Sequence, residues 1–335
     1  MPKIALFLAL MLVVEAYSQA QIEGQYTHFM FNRLSYNPAY AGSSGNISAT
    51  VLYRSQWLGF DLQAPVAGGE AGSAPTDMLF SVDLPVRWLH GGLGLNFTSE
   101  KLGYHSNNVI ELDYAFRLYW GAGTLSAAVG AELQSCQFKT TNLLGMSDLS
   151  GDPANPVATS SDPLLTGGEL SDFLIDVATG LYYQVPGIYY VGLSVKNLLG
   201  AKSDQLNLTN ARTLYLMGGY EYTFPYNPSL KFKPSALVKT ADFSAIQADV
   251  ACLLDYENTL WGGVGYRWGD AFTLMAGLNF LKIMQVGVAY DLTTSKLGFG
   301  GGRSLGSVEV YMNLAFQINV NKKNPTVSRN TLYLR

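Results

Sequence analysis

Apolar and polar residues alternate with period two along most of the chain, from about residue 46 to residue 318. Within Asn108–Trp120, Ile110, Leu112, Tyr114, Phe116, Leu118 and Trp120 share one side, while Glu111, Asp113 and Arg117 share the other. Successive side chains of a strand point to opposite faces, so such a segment offers one face to an apolar medium and one to water. The same pattern returns in Met78/Phe80/Val82/Leu84 against Asp77, Ser81 and Asp83, in Tyr189/Val191/Leu193/Val195, and in Met284/Val286/Val288/Tyr290. It closes with Val308/Val310/Met312/Leu314/Phe316/Ile318 against Glu309, Asn313 and Gln317. Strands are expected to begin near Ile47, Asp77, Gly92, Val109, Thr124, Phe173, Ile188, Thr213, Leu230, Gln247, Leu260, Phe272, Ile283 and Val308. An all-β fold follows: a transmembrane antiparallel β-barrel of about 14 strands over residues 46–320.

The connections add a second pattern. Gly59–Pro75, Glu100–Asn108, Thr140–Leu170, Leu198–Asn210 and Thr293–Gly306 read as long odd-numbered loops. Gly121–Gly123, Pro186–Gly187, Pro225–Pro228 and Leu281–Lys282 read as tight even-numbered turns, and Gly269–Asp270 is a short exception among the odd ones. Outer-membrane barrels carry long loops outside and short turns in the periplasm, and an even strand count then predicts both termini in the periplasm.

Composition narrows the medium. Charged residues make up 14% of the chain, against about a quarter in soluble domains, while aromatics reach 13% with 21 Tyr. A soluble β-sandwich or propeller would carry a uniformly polar outer face and, for blades, internal repeats. Neither is present. No segment after the N-terminus is apolar for long enough to cross a bilayer as a helix. The N-terminus joins Lys3 to the apolar run Ile4–Val14 and the small residues Ser18 and Ala20, which predicts a signal peptide over 1–20. Cys136 and Cys252 fall on opposite faces of distant strands and are expected to stay unpaired.

The formal net charge of −4 predicts no nucleic-acid partner. His28, His90 and His105 are expected to be solvated or capping, none lying mid-strand beside a serine, so no catalytic constellation is expected. The Gly92–Phe97 and Gly298–Gly302 stretches precede no helix that would present a phosphate site. No enzyme activity, cofactor or metal is expected. Glu111, Asp113, Arg117 and Glu132 form a candidate lumenal charge set, either a balancing ion network or an ion path.

Residues 21–45 break the alternation and crowd Tyr26, Phe29, Phe31, Tyr36 and Tyr40 around the turn former Asn37–Pro38. Rings that belong to no strand must be buried somewhere, either in the barrel lumen as a plug or against a periplasmic partner. The segment could equally just seal the barrel mouth without a partner role. Arg54 and Gln56 would share one face of the first strand and bind the segment's carbonyls, with Trp57 on the other face as an interfacial girdle residue. The two stretches FMFNRLSYNPAYAG and LYRSQWLGF resemble the opening signature of the PorP/SprF family of type IX secretion system membrane proteins. The matching positions are Phe29, Met30, Phe31, Asn32, Asn37, Pro38, Ala39, Tyr40, Ala41 and Gly42, then Tyr53, Arg54, Gln56 and Trp57. Residues 321–335 form a charged tail that does not match the family pattern.

The resemblance implies an outer-membrane component of the secretion and gliding machinery of Bacteroidota, which supports export and surface anchoring of cargo. The partners it implies are outer-membrane lipid, a cargo or adhesin C-terminal domain, and periplasmic ring or peptidoglycan-linked components. The alternative from the residues is an outer-membrane channel for small or hydrophobic solutes. The longest loop, Thr140–Leu170, is the candidate for external contact.

Overall fold

A computed structural model describes residues 24–59, 73–139, 169–206, 208–243, 245–281, 283–295 and 304–317. The expected signal peptide, most of the Thr140–Leu170 loop, Gly298–Gly302 and the C-terminal tail lie outside the described residues. The alternating segments become β1 (Asn46–Ser55), β2 (Ser73–Val86), β3 (Gly91–Gly103), β4 (His105–Trp120), β5 (Gly123–Lys139), β6 (Glu169–Val185) and β7 (Tyr189–Lys196). They continue as β8 (Thr213–Tyr220, prolonged by Tyr222–Phe224), β9 (Asn227–Ala241), β10 (Ala245–Tyr256) and β11 (Leu260–Arg267). The last are β12 (Ala271–Phe280), β13 (Met284–Thr293) and β14 (Ser307–Gln317).

Every strand pairs antiparallel with its sequence neighbours, and β1 pairs with β14 from Asn46↔Gln317 to Ser55↔Val308. That last ladder closes the sheet into a 14-strand barrel with no free edge. In β4, Glu111, Asp113 and Ala115 are buried while Ile110, Leu112, Phe116 and Leu118 are exposed. In β10, Gln247, Asp249, Ala251, Leu253 and Asp255 are buried while Ile246, Val250, Leu254 and Tyr256 are exposed. Burial is thus inverted relative to a soluble protein. The buried row holds the charges and the exposed row holds the large apolar side chains, as a barrel in hydrocarbon requires. Cys136 is buried and Cys252 exposed, and both are free.

The even connections, at 87–90, 121–122, 186–188, 225–226, 257–259 and 281–283, are all tight. The odd ones are mixed. Those at 56–72, 140–168, 197–212 and 294–306 are long, the third holding a small ladder between Lys202–Ser203 and Leu208–Thr209. Those at 104, 242–244 and 268–270 are short. The expected loop at Glu100–Asn108 is instead a hairpin, paired through Leu102↔His105 and turning at Tyr104. The physical reason is that a hairpin projecting out of hydrocarbon meets water on both faces. Its alternation fades while its backbone pairing continues.

The apolar outer face yields a depth-dependent prediction. Leu274→Arg, mid-strand on the exposed row of β12, is expected to destabilise the barrel by roughly 2–4 kcal/mol. Phe280→Arg, at the strand end, is expected to cost about 0–1 kcal/mol. Denaturant unfolding from lipid vesicles checks both, and equal costs at the two depths would contradict the membrane face.

Candidate functional site

Residues 24–45 form no strand but a run of tight turns, because their own polar side chains and a proline compete with ladder pairing. Phe31 and Asn32 donate their N–H to His28 O, and Tyr36 and Asn37 donate theirs to Arg33 O. Asn37 Oδ1 accepts from Ala39 N at 2.9 Å and caps the short 3-10 turn Pro38–Tyr40, whose first residue has its φ fixed by the proline ring. The turns throw the apolar side chains outward from the segment, yet Tyr26, Phe29, Met30, Leu34, Tyr36, Ala39 and Ala41 are all buried.

What buries them is the inner face of the barrel. The His28 and Phe31 rings both stack on Tyr311 of β14 at 5.3 Å between centroids, and Phe31 lies 4.8 Å from Trp261 of β11. Tyr36 meets Tyr215 of β8 edge-on at 5.4 Å, and Tyr40 meets Tyr182 of β6 edge-on at 5.5 Å. The Arg33 guanidinium lies 3.8 Å over the Tyr190 ring of β7 and donates to Tyr182 Oη at 3.1 Å. β6 and β7 stand half a circuit from β13 and β14, so the segment touches opposite walls.

One wall holds an ion network. Arg54 donates to Asp291 at 2.6 Å and to Glu309 at 3.2 Å, and Arg267 donates to Asp249 at 2.8 Å and to Asp291 at 3.1 Å. Both guanidinium groups are almost wholly buried. The segment completes this network. Thr27 N and His28 N donate to the two Glu309 oxygens at 2.7 and 2.8 Å, His28 Nδ1 lies 2.6 Å from Glu309, and Thr27 Oγ1 links Arg54 to Asp291. Bonds to charged groups contribute about 1.5–3 kcal/mol each, so Glu309 is a strong anchor. Arg54 was expected to hold the segment's carbonyls. It meets a hydroxyl and carboxylates instead, because a guanidinium withdrawn from water is best compensated by opposite charge.

Other parts of the wall are shaped by missing side chains. A Cβ on Gly180 would lie 2.3 Å from Asn37 Oδ1, and one on Gly92 would lie 2.2 Å from the Ala41 carbonyl oxygen. Glycine at 180 leaves room for the Asn37 side chain, and glycine at 92 lets the Ala41 backbone come this close. Asn37 Nδ2 then donates to Leu181 O at 3.0 Å, Ser194 Oγ to Tyr36 O at 2.5 Å, and Gln184 Nε2 to Ser43 O at 2.7 Å. Gly42 turns the chain at φ +62° and donates its N–H to Asp83 at 2.8 Å.

The candidate lumenal charges divide into two groups. Glu111 and Glu132 bracket Lys196 at 3.0 and 3.4 Å, with Asp113 beside them through Asn96. Arg117 stands apart and donates to the Ala41 carbonyl. Of the signature residues, Phe29, Met30, Asn32, Asn37, Pro38, Ala39, Ala41, Gly42, Arg54 and Gln56 are buried, and Phe31 and Tyr40 partly so. Gln56 donates to Asp77 at 2.6 Å. Tyr53 is 50% exposed on the outer row. Trp57 was expected on a strand face, but β1 ends at Ser55 and Trp57 takes the left-handed φ of +50° in the following turn. His28, expected to be solvated or capping, is 0% exposed. Lys196, Asp291, Arg267 and Tyr311 were not singled out by sequence, although each sits on the row opposite the apolar positions. Among the described residues no cluster of His, Cys, Asp and Glu is arranged to hold a metal ion.

Comparison with known proteins adds the family. No curated protein matches the chain. Among solved structures, the outer membrane protein Omp33 of Acinetobacter baumannii is 7% identical with a TM-score of 0.44, covering 81% of this chain and 99% of that one. The toluene transporter TbuX of Ralstonia pickettii is 12% identical at 0.45, covering 85% and 93%. A FadL homologue of Pseudomonas aeruginosa is 12% identical at 0.45, covering 90% and 96%. Likeness at this level does not extend to function. The family described as type IX secretion system membrane protein PorP/SprF matches residues 18–314, nearly the whole chain. This outer-membrane barrel therefore belongs to the PorP/SprF family of type IX secretion system membrane proteins.

Proposed function

We propose that residues 24–45 plug the lumen, and that the protein supports export and surface anchoring of cargo as a closed barrel rather than as a solute channel. The observation that carries the plug is that one segment bonds to walls half a circuit apart, through Glu309 on β14 and through Leu181 and Ser194 on β6 and β7. Burying its rings against Tyr311, Trp261 and Tyr215 takes apolar surface out of the one part of the barrel that is otherwise wet. The cargo role rests on membership of the family. A cargo or adhesin C-terminal domain outside, and ring or peptidoglycan-linked components in the periplasm, are the partners that this reading assigns.

Gly180→Leu is the direct test, because its side chain would enter the space of Asn37. In planar bilayers the unmodified chain is expected to conduct little, with Arg33 protected from trypsin. The folded variant, verified by its heat-modifiable gel mobility, is expected to conduct and to be cut at Arg33. Solute conduction by the unmodified chain with Arg33 still protected would favour the channel. A separate experiment addresses cargo. Deleting Ser147–Pro163, outside the described residues, is expected to leave the barrel folded and reduce surface display of the secreted cargo. Undiminished display would count against that loop.

A further inference from the structure

The contacts of residues 24–45 also fix the direction in which they run. Gly24 N donates to Glu100 at 2.7 Å, and the Gln25 and Gln247 side-chain amides exchange hydrogen bonds at 2.5 and 3.0 Å. Glu100 lies just before the turn at Tyr104, and Gln247 just after the turn at 242–244. Both turns belong to the odd-connection mouth, which also carries the long loops. Thr27 and His28 come next, at Asp291 and Glu309, close to the same ends of β13 and β14. At the other extreme, Gly42 bonds to Asp83 near the end of β2 and Ser43 to Gln184 near the end of β6. Those ends form the even-connection mouth, where Asn46 enters β1 opposite Gln317.

From this route we infer that the segment crosses the lumen lengthwise, with its residue-24 end presented at the odd-connection mouth, on the cell exterior. The inference rests on the lumenal reading above and adds a topology to it. An even strand count by itself puts both ends of the barrel on the periplasmic side. The lumenal route separates them, so that Gln25 and Gln317 lie at opposite mouths. An external partner would therefore meet the amino-terminal end of the segment, and a periplasmic one would meet the Gly42–Gly45 end.

The test uses the full chain in intact cells, with Cys136→Ser and Cys252→Ala removing the native thiols, and a membrane-impermeant maleimide as the probe. Single-cysteine variants are compared at Gln25, at the exposed odd-turn residue Phe243 and at the exposed even-turn residue Tyr226. The Gln25→Cys and Phe243→Cys variants are expected to label in intact cells, and Tyr226→Cys only after the outer membrane is permeabilised. If Gln25→Cys labels together with Tyr226→Cys, or stays unlabelled before and after permeabilisation, the lengthwise route is overturned. If Phe243→Cys and Tyr226→Cys exchange their behaviour, the exterior assignment of the odd mouth is overturned. Conduction by the unmodified chain would instead remove the plug on which the inference rests, so the two failures are distinguishable.

Discussion

A backbone N–H or C=O that faces hydrocarbon finds no water, so a sheet that enters a bilayer must close on itself. The β1–β14 ladder meets that demand and fixes much else. Closure commits every strand to one outward and one inward row. It concentrates Arg54, Arg267, Lys196, Glu111, Glu132, Asp249, Asp291 and Glu309 on the inner one. The outward row needs only apolar bulk. The inward row carries charges whose separation from water must be compensated pair by pair.

The amino-terminal segment is the other half of that compensation. Glu309 faces Arg54, but its remaining acceptor capacity is taken by the Thr27 and His28 amides, whose own turn leaves them free to donate. Elsewhere on the wall, Gly180 leaves room for the Asn37 side chain and Gly92 for the Ala41 carbonyl, and Asn37 uses both ends of its carboxamide, one to cap its own turn and one to bond the wall. The aromatic residues between these anchors pack against buried residues of the inner face. Segment and barrel are thus complementary in charge at Glu309 and in shape at Gly92 and Gly180.

Much of the fold was legible because each strand states its two faces locally. All fourteen strands lie within a few residues of their expected starts. What failed was local too. At Glu100–Asn108 the polar residues of a projecting hairpin imitate a loop. The site was legible in outline only. The aromatic crowding of residues 21–45 announced that rings needed burial, but the identity of the wall was hidden. His28 finds Glu309 across 281 positions of sequence, so no neighbour marks it as buried. Lys196 joins Glu111 and Glu132 only after β4, β5 and β7 are brought together. Gly92 and Gly180 carry no chemistry of their own, and their purpose appears only with the Ala41 carbonyl and the Asn37 side chain that they admit.

Binding of the segment by the inward charges is the interaction on which a closed lumen depends. Amide hydrogen exchange on the folded, full-length protein tests it most directly. The Thr27 and His28 amides are expected to exchange slowly, like those of the surrounding strands, and Glu309→Gln is expected to speed both while the strands stay protected. Rapid exchange at Thr27 and His28 in the unmodified protein, beside protected strands, would contradict it.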